Sequence, residues 1–178
     1  MKPFPPLAVG ALVLICLTSV CPIACKTAPP ETAGIPNFAQ VSTTNNVWRG
    51  GQFGADGLTM LQTNHIKRIL KLNTRSESTF DDAAAKVGIE VRYAPITLRQ
   101  QLGLDGIPMG QIIADIAFMQ KGDCLVHCEH GQDRTGMVVY CYRVLVSGWG
   151  NQAAKAERDS MGFHKELRGL ADFCEDFR

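Results

Sequence analysis

Neither sign of charge dominates this chain. Its 178 residues hold 18 Lys and Arg against 17 Asp and Glu, a formal +1. That balance lacks the electrostatic footprint of a nucleic-acid binder or of a protein drawn to an anionic membrane, so any anion site must be built locally. The chain has no internal repeat, and its length suits one domain with a real core but not two comfortable ones. It also lacks an apolar run long enough to span a bilayer: Leu7 to Val20 falls short of the roughly 20 residues required.

That run has a different use. It follows Lys2, a short positive segment, and small residues come after it, which reads as a secretory signal peptide over residues 1–24. Ile23-Ala24-Cys25 resembles a bacterial lipoprotein cleavage site, with Pro22 a poor match. Cys25 is therefore a candidate lipid anchor, tethering the protein without spanning the membrane; plain cleavage and secretion is the alternative. The expected location is periplasmic, membrane-anchored or secreted. Residues 25–36 are rich in Pro, Thr and Ala without periodicity and read as a linker, which leaves one domain over 37–178. Without Lys2 the mature chain is formally neutral. Of seven cysteines, Cys16 and Cys21 leave with the signal, and Cys124, Cys128, Cys141 and Cys174 stay in the domain. Cys124 and Cys128, four residues apart in extended chain, would be about 13 Å apart, beyond disulfide reach. Pairing of Cys141 or Cys174 is open.

Helical and extended signals alternate along the domain. Val47 to Gln52 is a short extended piece. Asp56 can cap a helix reaching about Asn64. Ile66 to Leu72 alternates as a strand, and Ser78 can cap a helix from Thr79 to Val87 that Gly88 ends. Ile89 to Ile96 is the next strand, and Thr97 to Ile107 is a surface loop. Pro108 opens a helix to about Gln120. Cys124 to His127 is a buried strand, Thr135 to Val146 a central helix, and 151–161 and 165–177 close the chain as helices. This order implies an α/β fold: a mostly parallel central sheet with helices on both faces, and ligands bound beyond the carboxyl ends of the strands.

Cys128 to Arg134 lies at such an end. Loop amides from Glu129, His130, Gly131, Gln132, Asp133 and Arg134 can curl around one centre, to which the following helix adds positive partial charge. Gly131 permits the tight curl. The planar fork of Arg134 can hold two oxygens of a tetrahedral oxyanion. Cys128 faces the same donors, which favour its thiolate and place it for in-line attack on phosphorus. Thr135 can hydrogen-bond the sulfur, and His127 orders the loop from behind.

His-Cys, five residues, then Arg-Thr-Gly resembles the signature loop of the protein-tyrosine-phosphatase superfamily. The segments VWRGGQF and IKRILKLNTRSES and the helix after Pro108 resemble its small bacterial and dual-specificity-like members. The resemblance covers about Val47 to Phe163. It implies the PTP-like fold, a phosphocysteine intermediate, and a proton donor from a loop one strand and one helix before the signature. The acid there is Asp105; Asp133, beside Arg134, competes with it, and Glu129 is expected to point away. Arg49 and Gln52 match a family structural motif. Lys71, Arg75 and Arg99 are candidates to hold further phosphates, although Lys71 and Arg75 also fit solvated strand-end charges.

Exported bacterial PTP-like phytases share His127-Cys128-Glu129 with Gly131 and Arg134-Thr135, which points to an inositol polyphosphate as the substrate. Phosphotyrosine and phosphoinositide esters are the alternatives; Gln132-Asp133-Arg134-Thr135 resembles phosphoinositide-directed relatives. The expected partner is thus a small anionic phosphate ester, with no cofactor, no metal and no nucleic acid, and the chain is expected to be a monomer. A zinc site from His127, Cys128 and His130 lacks a second cluster. Rhodanese-like sulfurtransferases also cradle an anion over a cysteine, but Arg134-Thr135-Gly136 argues against them, and a silent phosphate-binding module would not need the Cys128–Arg134 pair.

Overall fold

The structure, a computed structural model, describes residues 34–78 and 80–177. The expected signal peptide, Cys25 and all of the expected linker before residue 34 lie outside the described residues. In chain order the elements are β1 (Ala39–Ser42), β2 (Val47–Gly50), α1 (Ala55–Thr63), β3 (Arg68–Lys71), α2 (Phe80–Lys86), β4 (Glu90–Tyr93), α3 (Leu98–Gln101), α4 (Met109–Gln120), β5 (Cys124–His127), α5 (Asp133–Leu145), α6 (Asn151–Ser160) and α7 (Arg168–Asp176). The strands form one sheet in the order β1-β2-β5-β3-β4, parallel except for the β1–β2 edge.

Period-2 alternation explains how both faces are covered. Ile69 and Leu125 pack with Leu61 of α1, Ala84 of α2 and Phe53 on one face. Their chain neighbours Leu70 and Val126 pack on the other, with Ile112, Met119, Met137 and Leu170 of α4, α5 and α7. Every residue of α5 from Arg134 to Arg143 is buried, as a central helix requires. The parallel register aligns Gly50, His127, Lys71 and Tyr93 in one row at the strands' carboxyl ends. The Cys128 loop leaves from the middle of that row.

Local chemistry moves several boundaries. Gly54 precedes α1 in extended conformation, and Asp56 sits inside the first turn instead of capping it. Ser78 Oγ does accept from Phe80 N at 3.2 Å; the expected start of this helix, Thr79, is outside the described residues. The 97–107 segment is not wholly loop: Thr97 and Gln100 form a reciprocal capping box that starts α3. The central helix begins two residues early, at Asp133. β1 went unanticipated because four residues at an edge carry little alternation. The domain also begins before residue 37, since Ile35 is 2% exposed and joins the core. The thiols of Cys124, Cys128, Cys141 and Cys174 are all free.

Leu61, fully buried in the α1-side core, lies outside the loop. Leu61→Ala should lower unfolding free energy in a urea melt by about 2–5 kcal/mol and leave turnover per folded molecule unchanged. A matching loss of turnover would show that the two are coupled.

Candidate active site

An oxyanion cradle made of amide N–H groups requires its carbonyls to point outward, and each outward carbonyl needs a donor behind it. The loop meets this requirement residue by residue. The Cys128 carbonyl faces His127 Nδ1 at 3.2 Å. The Glu129 carbonyl accepts from Gln52 N at 2.8 Å, His130 from Asn37 Nδ2 at 2.8 Å, Gly131 from Arg49 Nη2 at 2.7 Å, and Gln132 from Gly136 N at 2.8 Å. Among the described residues, no protein acceptor takes an amide hydrogen from Glu129 through Arg134. Those amides, with the N-terminus of α5 behind them, are left for an anion.

The Arg49-Gly50-Gly51-Gln52 run forms the wall behind the loop. Gly131 has φ +74°, and a Cβ there would lie 2.5 Å from the Gly50 carbonyl carbon. At Gly51 a Cβ would come within 2.8 Å of the Glu129 oxygen. The loop and the β2 end therefore touch backbone to backbone, which only glycine allows. Gly51 N donates to the Pro36 carbonyl at 2.6 Å, so residues read as linker are part of the wall. Arg49 is 1% exposed, and burial pushes its guanidinium down to about 10.

Cys128 is 3% exposed. Beside the loop lies a cavity of about 370 Å³ whose lining includes Glu77, Ile96, Leu98, Gln101, Glu129 and Arg134; Cys128 itself does not line it. Arg134 Nη1 stands 3.4 Å from Glu77 Oε1 and its Nη2 3.9 Å from Glu129 Oε2. Burial works to raise the Glu77 carboxyl, but Thr74 and the Arg134 guanidinium hold it below its ordinary value. Glu129, expected to point away, thus lines the cavity. His130 is exposed beside it, 4.0 Å from its carboxylate.

The other expected residues are placed differently. Asp105 is held by Arg99 in a two-point ion pair, at 2.8 and 3.1 Å, because an exposed guanidinium six residues away is its nearest partner. It does not line the cavity, and the hydrogen bond from Arg99 keeps its carboxyl below the usual range, the opposite of what a proton donor needs. Asp133 accepts from His164 N and faces His164 Nδ1, at 2.8 and 3.0 Å, tying α5 to the segment after α6. Thr135 Oγ1 is directed to the Gly50 carbonyl at 3.5 Å and has no recorded bond to sulfur. Gln132 packs against Gly162, where a Cβ would meet its Nε2 at 2.7 Å.

Lys71, read as a phosphate holder or a solvated strand end, is neither. It is fully buried and pairs with Asp81 at 2.6 Å, since both faces of the sheet are covered. Arg75 is exposed and pairs with Asp82 at 2.8 Å. Asp81, Asn37 and Glu77 were missed by sequence reasoning. The Lys71 in the otherwise apolar run Ile69-Leu70-Lys71-Leu72 was the available signal for a buried acid.

A family model described as PTP-NADK, DSP-PTPase phosphatase fused to NAD+ kinase, matches residues 30–168. The dual specificity protein phosphatase TpbA of Pseudomonas aeruginosa is 28% identical over 135 residues, 73% of this chain and 56% of that protein. The chain thus spans little more than half the length of that relative. A crystal structure of TpbA superposes with a TM-score of 0.65 at 19% identity, covering 83% of this chain and 92% of that one. The core catalytic domain of the PP-IP phosphatase SIW14 from S. cerevisiae, in complex with citrate, superposes with a TM-score of 0.67 at 22% identity, covering 82% and 89%. These two likenesses show the fold.

Gly131→Ala tests the backbone contact. The added methyl must displace either the loop or the end of β2, so folding is checked first by circular dichroism; the folded variant should lower kcat/KM for an aryl phosphate on the order of a hundredfold. Unchanged kcat/KM would mean that the loop does not need this curl.

Proposed function

We propose that this chain, which belongs to the DSP-PTPase family of phosphatases, hydrolyses phosphomonoesters through a phosphocysteine intermediate. The outward-turned carbonyls of Cys128 to Gln132 carry this reading. They leave a ring of amide donors between the nucleophile and Arg134, matched to three phosphoryl oxygens.

In the first step the Cys128 thiolate attacks phosphorus in line. The S–P bond forms, the ester P–O bond breaks, and the departing oxygen takes a proton to leave as the alcohol. In the second step water attacks phosphorus and gives up a proton, the S–P bond breaks, and thiolate and inorganic phosphate result. Arg134 and the loop amides hold the equatorial oxygens throughout. The phosphate replaces Glu77 and Glu129 as the partner of Arg134. Of the acids around the loop, Glu129 is the one we assign to the leaving oxygen. It lines the cavity together with Glu77, whose carboxylate is taken by Thr74 N and Arg134, whereas Asp105 is held by Arg99 and Asp133 by His164.

One phosphate suits this site better than several. Arg134 alone among the lining residues is basic, and Lys71, Arg75 and Arg99 are each taken by an acid of their own. An inositol polyphosphate would bring several further dianions to a rim carrying Glu77 and Glu129. A singly phosphorylated ester, such as an aryl phosphate or a phosphotyrosine side chain, avoids that repulsion. The inositol polyphosphate reading has the description of SIW14 in its favour, through likeness of fold alone. Export from the cytoplasm is part of the proposal and rests on Lys2, the apolar run and Cys25.

Cys128→Ser should abolish phosphate release from every substrate; undiminished release would refute the mechanism. In the wild type, kcat/KM should be higher for a phosphotyrosine peptide than for phytate, and phytate as the best substrate would restore the polyphosphate reading. Glu129→Gln should slow an alkyl phosphate by roughly a hundredfold and an activated aryl ester far less. Asp105→Asn and Asp133→Asn should not show that split; if either does, it is the donor.

A further inference from the structure

A buried ionic cluster lies behind the nucleophile, and the mechanism does not use it. The Asp81 side chain is fully buried on α2. Its Oδ2 accepts from Lys71 Nζ at 2.6 Å and from Gln52 Nε2 at 3.3 Å, and its Oδ1 lies 2.9 Å from His127 Nε2. Lys71 Nζ also donates to the Ser78 carbonyl at 3.0 Å. Lys71 and His127 are register partners across β3 and β5, so one carboxylate spans two neighbouring strand ends.

Stability alone gives little reason for such a cluster. A buried ion pair is commonly no better than apolar side chains of the same volume, because desolvation offsets the attraction. Here burial works to raise the Asp81 carboxyl, and the bonds to His127 and Lys71 outweigh it and hold it low. What the cluster does achieve is to fix the His127 ring at both ends. Nε2 is held on Asp81, and Nδ1 faces the Cys128 carbonyl at 3.2 Å. Phe53 packs edge-on against the ring, with centroids 5.6 Å apart. The Cys128 carbonyl is the first of the five that must face outward. If it turned inward, its oxygen would oppose the anion directly beside the sulfur.

We infer that Asp81 is a positioning residue for the nucleophile loop: through His127 it holds the Cys128 carbonyl outside the anion cradle, and Lys71 and Gln52 fix Asp81 in turn. This deepens the proposed phosphatase reading and rests on it for its kinetic arm. The role is distinct from scaffolding, because it depends on a hydrogen-bonding partner for His127 Nε2 at position 81, so that Nδ1–H is directed at the Cys128 carbonyl, and not on the ion pair.

Two double variants separate these roles. Lys71→Met with Asp81→Leu removes the pair and the hydrogen-bonding group, whereas Lys71→Met with Asp81→Asn removes the pair and keeps a partner for His127, whose Nε2 can accept from the amide while Nδ1–H stays on the Cys128 carbonyl. The readouts are kcat for an aryl phosphate and the ratio of Cys128 alkylation by anionic iodoacetate to that by neutral iodoacetamide, followed by mass spectrometry. A formed cradle attracts the iodoacetate carboxylate, while general loosening exposes the thiol to both reagents. Relative to the Asn variant, the Leu variant should lose about tenfold in kcat and a similar factor in the alkylation ratio. Equal values in the two would overturn the inference. A further comparison covers the case in which the Leu variant does not fold. Lys71→Met with Asp81→Ala, a smaller apolar pair, should lower the ratio in the wild type and leave it unchanged in a His127→Asn background; equal losses in both would overturn the inference. If the wild type releases no phosphate, the proposed function fails, and the alkylation ratio still decides the role of Asp81.

Discussion

The direction of five peptide carbonyls governs this site. Amides can collect around an anion only if the carbonyls between them face away, and a buried carbonyl without a donor costs about 1–3 kcal/mol. The chain supplies the five donors from four places: His127 from β5, Gln52 and Arg49 from around the end of β2, Asn37 from before β1, and Gly136 from α5. The loop is therefore held by donors that meet it from its outer side. Residues as far apart as Asn37 and Gly136 belong to one functional unit.

The same constraint accounts for polar groups that a core would otherwise exclude. Arg49 is buried and its guanidinium is pushed down to about 10, which a stability argument alone would not favour. It is retained where its Nη2 meets the Gly131 carbonyl. The glycines at 51 and 131 follow from the same need, since the β2 end must approach the loop within backbone contact. On the open side the balance reverses. Arg134 is met by Glu77 and Glu129 instead of further cations, so the site combines a strong anion cradle with an acidic rim.

Much of this was legible in the sequence. The parallel sheet, the helices on both faces and the buried β5 strand follow from alternation and from the apolar run 124–127. The Cys128–Arg134 spacing identified the loop. What was not legible depended on partners distant in the chain. Lys71 looks like a strand-end charge until Asp81, in the first turn of α2, is known to be buried with it. The pairing of Asp105 with Arg99 was likewise not foreseen. Ile35 and Pro36 look like a linker because their contacts, to the α1-side core and to Gly51, lie far along the chain. Local pattern gives element type and loop chemistry; it does not give the pairing of charges, which depends on which faces the sheet covers.

The cradle itself is tested most directly by titrating the 15N-labelled protein with tungstate, a tetrahedral oxyanion, and following backbone amide shifts. The amides of Glu129 to Arg134 should move together, in proportion to one binding curve, with the Arg134 side-chain Nε signal following. Shifts confined to surface residues, with the 129–134 amides unmoved at saturation, would contradict an anion site formed by these groups.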